Sequence, residues 1–143
     1  MGGQARILVV DDDEDIRKVL KTVLEGSGYA VELAGSGKEA IRKCKNFGFN
    51  VVLIDVRLSD IVGTKLLTKL KDTTPRMRKV IMTGYPTLQN AVEAVNGGAD
   101  AYMMKPLEME NVLRTIRKQL SAQQKEIRYS QERVADFIET SVR

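Results

Sequence analysis

The stretch Arg6-Ile-Leu-Val-Val-Asp-Asp-Asp-Glu-Asp15 decides the fold class, because an uninterrupted apolar run ends abruptly in five acidic residues. An apolar run without alternation is typical of a strand that is covered on both faces of a parallel sheet. Beyond the acidic residues, Ile16, Val19, Leu20 and Leu24 recur with the spacing of one helix face. The segment therefore predicts a strand, a loop rich in carboxylates and a helix, in that order.

The same alternation of strand and helix patterns continues along the chain. Further strands are predicted at Tyr29–Ala34, Val51–Ile54, Lys79–Thr83 and Ala101–Lys105, and a helical period follows each of them. Five strands that alternate with five helices predict an α/β fold with a doubly wound, five-stranded parallel sheet and helices on both faces.

The C-terminal part has a different character. Residues 107–143 contain neither glycine nor proline, and the composition turns polar after Leu120. We predict a compact domain over residues 5–120, an extended C-terminal helix, and a polar helical extension or linker over residues 121–143. Apolar residues recur every seven positions along this helix, at Leu113, Leu120, Ile127 and Val134. This weak seam favours a homodimer that forms through helix five and the tail, with a frayed linker helix as the alternative.

The composition excludes several classes of enzyme and metal site. The 143 residues include no histidine and one cysteine, Cys44, which removes Ser-His-Asp and Cys-His catalysis, imidazole metal sites and thiolate zinc sites. A bound metal would be a hard cation held by oxygen. The longest apolar runs have four residues, whereas a membrane-spanning helix needs roughly 20. We therefore expect a cytoplasmic protein with no membrane partner.

Charged and polar residues lie at the carboxyl ends of four predicted strands, where open parallel sheets bind ligands. They are Asp11–Asp15, Asp55, Thr83 and Lys105. Taken singly, these residues fit structural roles such as helix capping, but together they favour a ligand-binding site. Carboxylates that converge repel one another unless a cation lies between them, and Mg²⁺ suits such oxygen ligands. A carboxylate beside Mg²⁺ and a lysine can attack phosphorus and form an aspartyl-phosphate without a histidine base.

Four stretches together resemble the receiver domain of two-component response regulators, over about residues 5–120. They are Ile7-Leu-Val-Val-Asp-Asp-Asp13, Val51-Val-Leu-Ile-Asp-Val-Arg-Leu58, Val80-Ile-Met-Thr-Gly84 and Gly98-Ala-Asp-Ala-Tyr-Met-Met-Lys-Pro106. The resemblance implies a flavodoxin-like (βα)5 fold with strand order 2-1-3-4-5. It also implies a phosphorylation-dependent switch that catalyses only its own phosphoryl transfer and slow dephosphorylation. The implied partner is a sensor histidine kinase or a phosphotransfer protein.

The resemblance also implies roles for the acidic residues and for the loop after the third strand. Asp55 would be the phosphoacceptor. Asp11 and Asp12 would hold Mg²⁺ together with Asp55 and the main-chain carbonyl of Arg57. The loop departs from the family at two positions, because Ser59 replaces a usual proline and position 62 lacks the acid that commonly precedes glycine. These departures predict a less rigid loop.

Three further residues receive roles from the resemblance. Thr83 and Lys105 would each contact a phosphoryl oxygen. Thr83 and Tyr102 would be the switch pair, whose movement reshapes the surface formed by helix four, strand five and helix five. The peptide bond between Lys105 and Pro106 is expected to be cis, which proline makes accessible.

Three other functions remain as alternatives. A haloacid-dehalogenase-like phosphatase would also use an aspartyl-phosphate, but it needs a second acidic pair late in the chain, where only Asp100 and Asp136 occur after Asp72. A receiver-like fold that only binds partners is a second alternative. A flavin binder is a third, although five acids follow the first strand where a phosphate would need donors. We expect no nucleic acid to bind this chain itself, because no aromatic residue interleaves the basic cluster around the third helix, between Lys65 and Lys79.

Overall fold

The computed structural model describes residues 3–70, 73 and 75–142, and strands and helices alternate throughout them, as predicted. The strands are β1 (Arg6–Val10), β2 (Ala30–Ala34), β3 (Val51–Asp55), β4 (Arg78–Thr83) and β5 (Ala101–Met104). The helices are α1 (Glu14–Gly26), α2 (Gly37–Asn46), α3 (Gly63–Lys69), α4 (Leu88–Asn96) and α5 (Met109–Val142). None of the helices in these ranges is long and apolar enough to cross a membrane.

The five strands form one parallel sheet in the order β2-β1-β3-β4-β5, which confirms the predicted topology. The register aligns the carboxyl ends of the central strands, with Val10 opposite Ile54 and Asp55 opposite Met82. Residues that directly follow these strand ends therefore meet at one edge of the sheet, which we call the carboxyl edge.

The core consists of two apolar layers, one on each face of the sheet. Alternate residues of β1 enter opposite layers, since Leu8 packs with residues of α2, α3 and α4 while Ile7 packs with residues of α1 and α5. Both side chains are fully buried. This arrangement explains why the central strands are apolar at every position rather than at every second one.

The apolar residues of α4 are more exposed than those of α1, α2 and α3. Leu88 and Val95 are 83% and 72% exposed, and the small side chain of Ala94 supplies the buried contact. Helical periodicity identifies an apolar face, but it does not say whether the domain itself covers that face. The α4 stripe therefore remains at the surface of this chain.

Helix α5 crosses residue 120 without a break and stays in contact with the domain beyond it. Gln123 is only 3% exposed, and its Nε2 donates to the carbonyl oxygens of Arg76 at 2.8 Å and Asn50 at 3.1 Å. Its Oε1 accepts from Asn50 Nδ2 at 2.9 Å. One turn earlier, Gln119 accepts from Arg78 Nε at 2.9 Å. These bonds attach α5 to the amino ends of the strands.

An ion-pair network continues this contact. Arg76 makes two hydrogen bonds to the carboxylate of Asp100, at 2.8 and 3.0 Å, and lies 3.5 Å from Glu126. Arg78 lies 3.4 Å from both acids. We call this whole set of residues the amino-edge clamp; its members are Asn50, Arg76, Arg78, Asp100, Gln119, Gln123 and Glu126.

Candidate functional site

The carboxyl edge brings together residues at the ends of β1, β3 and β5. Asp11 is fully buried, and Asp55 is 6% exposed. Lys105 Nζ lies 2.9 Å from Asp11 Oδ2 and 3.4 Å from Asp55 Oδ1. The lysine is 94 positions from Asp11 in the sequence, so this contact depends on the sheet order that places β1, β3, β4 and β5 side by side.

Three carboxylates of this edge form a potential metal site. One oxygen from each of Asp11, Asp12 and Asp55 lies within 4.8 Å of the other two. Two of these side chains are buried, whereas Asp12 is exposed, so a cation here would have solvent on one side. Hard oxygen ligands on a partly hydrated cation are what Mg²⁺ prefers, and the predicted ligand residues therefore fit this ion.

The local electrostatics penalise the negative charge of Asp55. Burial and the neighbouring Asp11 raise the pKa of this carboxyl, while Lys105 and the amide of Arg57 oppose the shift without cancelling it. Burial disfavours the charge of Lys105 as well, but its hydrogen bonds and charge attraction to Asp11 and Asp55 together outweigh that effect and raise the pKa of the ammonium. The site holds one firmly protonated cation among carboxylates that repel each other, an arrangement that favours the arrival of further positive charge.

Thr83 ends β4 beside these residues and is 2% exposed. Its Oγ1 accepts a hydrogen bond from the amide of Tyr85 at 3.0 Å, and its carbonyl accepts from the amide of Lys105 at 2.7 Å. A hydroxyl both donates and accepts, so its hydrogen can still be donated into the site. The peptide bond between Lys105 and Pro106 is cis, as the resemblance implied.

Arg57 lies at the mouth of the site, with its backbone amide directed to the Asp55 carboxylate. Its guanidinium carbon lies 3.7 Å from the centroid of the Tyr85 ring, within the range of a cation–π contact. Sequence reasoning placed Arg57 here but missed Tyr85. No local pattern could identify it, because the two residues lie on different loops.

Tyr102, the other predicted switch residue, lies in the middle of β5 and packs partly against the layer that includes α4. Its hydroxyl oxygen is buried and has no hydrogen-bond partner among the residues that the structure describes. A buried polar group without a partner costs about 1–3 kcal/mol. The ring is therefore held inward by packing at an energetic cost.

The comparison with protein families is decisive, since residues 7–117 match the response regulator receiver domain. The chain belongs to this family. A curated relative is the transcriptional regulatory protein ZraR of Escherichia coli K12, which is 40% identical over 115 residues. That match covers 80% of this chain and 26% of ZraR, so the receiver domain described here spans about a quarter of the length of that relative.

Solved structures agree with this assignment. A CheY-like receiver domain from Methanospirillum hungatei JF-1 is 44% identical and superimposes with a TM-score of 0.83, covering 87% of this chain and 99% of that one. A response regulator from Burkholderia pseudomallei, solved with a phosphorylated aspartic acid, a calcium ion and citrate, is 34% identical with a TM-score of 0.75, covering 86% of this chain and 72% of that one. This receiver domain is thus a phosphorylation-dependent switch of two-component signalling.

Proposed function

We propose that Asp55 is the residue of this receiver domain that accepts the phosphoryl group. The observation that carries the proposal is its position: the carboxylate lies 3.4 Å from Lys105 Nζ and shares a potential cation site with Asp11 and Asp12. Asp11 already forms a 2.9 Å ion pair with Lys105, and Asp12 is exposed. Asp55 combines burial and a nearby cation with a place at the end of β3, the middle strand of the sheet.

The transfer reaction follows from these positions. A carboxylate oxygen of Asp55 attacks the phosphorus of a phosphohistidine on a sensor kinase or phosphotransfer protein. The phosphorus–nitrogen bond breaks, the imidazole leaves as the neutral base with a proton from solvent, and an acyl phosphate remains on Asp55. Such transfer needs mainly positioning and charge neutralisation. Lys105 places a point charge on one phosphoryl oxygen, and the hydroxyl of Thr83 donates to another.

Mg²⁺ is the proposed cofactor of this site. Asp11, Asp12, Asp55 and the main-chain carbonyl of Arg57 would hold it, and it would supply the positive charge that offsets the phosphoryl oxygens. The regulator from Burkholderia pseudomallei, which was solved with both a phosphorylated aspartic acid and a calcium ion, is consistent with a divalent cation in a receiver domain.

Thr83 and Tyr102 are the proposed switch pair. When the Thr83 hydroxyl moves toward the phosphoryl group, it would change the space beside the ring of Tyr102, which lies on the neighbouring strand opposite Ile81, two residues before Thr83. The unpaired hydroxyl of Tyr102 supports a residue whose position is finely balanced. Movement of the ring would reshape the surface of α4, β5 and α5, which already exposes the apolar stripe of α4.

The acceptor is tested by intact mass spectrometry after incubation with a small acyl phosphate and Mg²⁺. The parent protein is expected to gain the mass of one phosphate, and Asp55→Asn to gain none, because an amide cannot form the acyl phosphate. Asp136→Asn makes the same chemical change at an exposed position of α5 and serves as the control. Equal labelling of the parent and Asp55→Asn would refute the assignment.

A second copy of the chain is the proposed partner of the α5 tail. Val134 and Ile138 are each 56% exposed, and Tyr129 is 59% exposed, on a helix of 34 residues that spans about 51 Å at roughly 1.5 Å per residue. Because the domain does not cover these apolar side chains, packing against a matching helix would remove them from water. The double variant Val134→Lys, Ile138→Lys keeps the contacts of Gln123 and is expected to abolish the dimer.

Light scattering of the parent and the double variant, with and without phosphodonor, measures whether each protein is a monomer or a dimer. If the parent remains monomeric at high concentration under both conditions, the proposed dimer is refuted and the tail is only a linker.

A further inference from the structure

The loop of residues 56–62, which follows the proposed acceptor, lacks the two supports that the resemblance associates with it. Ser59 replaces a proline, and Val62, the N-cap of α3, makes no side-chain capping bond. The structure nevertheless holds this loop at both its base and its tip.

The base of the loop is closed by backbone contacts. The amide of Gly63 donates to the carbonyl of Val56 at 2.7 Å, and Arg57 forms an isolated antiparallel bridge with Val62. A Cβ atom on Gly63 would lie 2.2 Å from the carbonyl oxygen of Asp55, so only glycine permits this closeness. Because these contacts fix the base, the orientation of the loop depends on the contacts that its tip makes.

The tip of the loop is attached to the first turn of α2 through Asp60. Asp60 Oδ1 accepts from the amide of Gly37 at 2.9 Å, and Oδ2 accepts from the amide of Lys38 at 3.0 Å. The next amide, of Glu39, donates to the N-cap hydroxyl of Ser36 at 3.2 Å. A helix start leaves its first amides without internal partners. Here two of them are satisfied by a carboxylate 22 and 23 positions away in the sequence.

An apolar contact accompanies these bonds. Ile61 is half-buried against the core layer that contains α2, and a Cβ atom on Gly37 would lie 2.3 Å from its Cγ2. The loop tip therefore fits against α2 only because position 37 is glycine. We call the contact of Asp60 and Ile61 with the start of α2 the Asp60 clasp.

The carboxylate of Asp60 is committed to this contact although the residue is exposed. Hydrogen bonds from the amides of Gly37 and Lys38 hold the pKa of Asp60 below its ordinary value. Its engagement is also geometrically specific, because each oxygen meets a different amide.

We propose that Asp60 is a positioning residue for the cation site: the clasp holds loop 56–62, and with it the main-chain carbonyl of Arg57, in the place that Mg²⁺ binding requires. This inference rests on the proposed function, since it assumes a cation at Asp11, Asp12 and Asp55. According to this proposal, the contact between the loop and α2 stabilises the loop in place of the proline and the acid that positions 59 and 62 lack. Residues that orient metal ligands from outside the coordination shell typically change metal affinity by 10–100-fold when removed.

The first test compares two substitutions that remove the same charge. Asp60→Ala deletes both acceptors, whereas Asp60→Asn keeps one oxygen that can accept from an amide. Calorimetric titration with Mg²⁺ alone is expected to show affinity about tenfold weaker in Asp60→Ala, with a substantial part restored in Asp60→Asn. Equal weakening in both variants would attribute the effect to lost charge and overturn the proposal.

The second test disturbs the clasp from α2 without any change of charge. Gly37→Ala forces Ile61 away from the helix start and is expected to weaken Mg²⁺ binding in the same direction as Asp60→Ala. Gly48→Ala is the matched control, because no atom lies within 4 Å of the added Cβ. If Gly37→Ala and Asp60→Ala both bind Mg²⁺ as the parent does, the clasp has no positioning role.

Phosphorylation kinetics separate positioning from a general loss of structure. In Asp60→Ala, the Mg²⁺ concentration that gives half-maximal labelling is expected to rise by about tenfold, while the rate at saturating Mg²⁺ stays close to that of the parent. A lower saturating rate with unchanged Mg²⁺ dependence would contradict the proposal. If the parent itself is not labelled at Asp55, the proposed function fails; if the parent is labelled and the variants match it, only this inference fails.

Discussion

The two edges of the sheet shift the pKa of an aspartate in opposite directions. At the carboxyl edge, burial and Asp11 raise the pKa of Asp55. At the amino edge, burial again opposes ionisation of Asp100, but the bidentate bonds from Arg76, the amide of Lys79 and the charges of Arg76 and Arg78 together outweigh it and lower its pKa. The buried carboxylate of Asp55 has too few partners to offset its burial, whereas the half-buried carboxylate of Asp100 has enough of them.

The difference shows how one sheet can divide function from stability. Carboxylates that lack enough positive charge create affinity for a cation, and the fold must bear the cost of holding them together. A carboxylate that is matched by two guanidinium groups stabilises the fold and attaches α5 to it. Substitutions at the two edges are therefore expected to act on different measurements.

The largest expected effect concerns the lysine of the carboxyl edge. Lys105→Ala removes the charge that faces the phosphoryl oxygens and is expected to slow labelling by a small acyl phosphate by about 100-fold, the typical effect of losing one such donor. Arg78→Ala removes a cation from the amino-edge clamp and is the matched control. We expect it to lower stability and to leave the labelling rate within about twofold of the parent. Similar labelling rates for both variants would contradict the assignment of function to the carboxyl edge and of stability to the amino edge.

The second prediction concerns the acid of the amino edge. Asp100→Ala is expected to lower the free energy of unfolding by about 2–3 kcal/mol, because it removes charge-assisted bonds to Arg76 and leaves Arg78 with less compensation. Urea unfolding measures this loss. Labelling of Asp55 is expected to be unaffected under native conditions, and a large drop in labelling rate would count against the separation.

The pH dependence of this loss has a definite sign. The folded state lowers the pKa of Asp100, so its contribution is present above the ordinary carboxyl pKa of about 3.9 and is lost as the pH falls through the folded-state value. The gap in unfolding free energy between the parent and Asp100→Ala is therefore expected to be constant near neutral pH and to close below about pH 4. A gap that widens on acidification would contradict the assigned ion pairs.

The smallest expected effect is a gain of stability at the carboxyl edge. Asp55→Asn without metal is expected to raise the free energy of unfolding by about 1 kcal/mol, because it removes a charge that the folded state disfavours. Saturating Mg²⁺ stabilises the parent through binding and should shrink or reverse this difference. Urea unfolding with and without Mg²⁺ tests both statements. A variant less stable than the parent in the absence of metal would show that Lys105 outweighs the repulsion from Asp11.

Much of the fold could be predicted from the sequence, because apolar runs and helical periods are local properties of the chain. The five strands begin and end within a residue or so of their predicted places, and Asp13 and Ser36 cap α1 and α2 as short polar residues do. The strand order came from the family resemblance and is confirmed by the sheet. The roles assigned to Asp55 and its neighbours stay predictions that await the experiments above.

The sequence by itself determined the chemistry: an acidic run after β1, a carboxylate after β3, a hydroxyl and a lysine at the ends of β4 and β5, and no histidine. Only the tertiary structure decided which groups meet. It brought Asp60 to the start of α2, seated Gln123 against the amino edge, and left the stripe of α4 exposed. The physical reason is that periodicity records which residues avoid water, whereas contacts between distant residues depend on the crossing of helices over a twisted sheet, which no local pattern encodes.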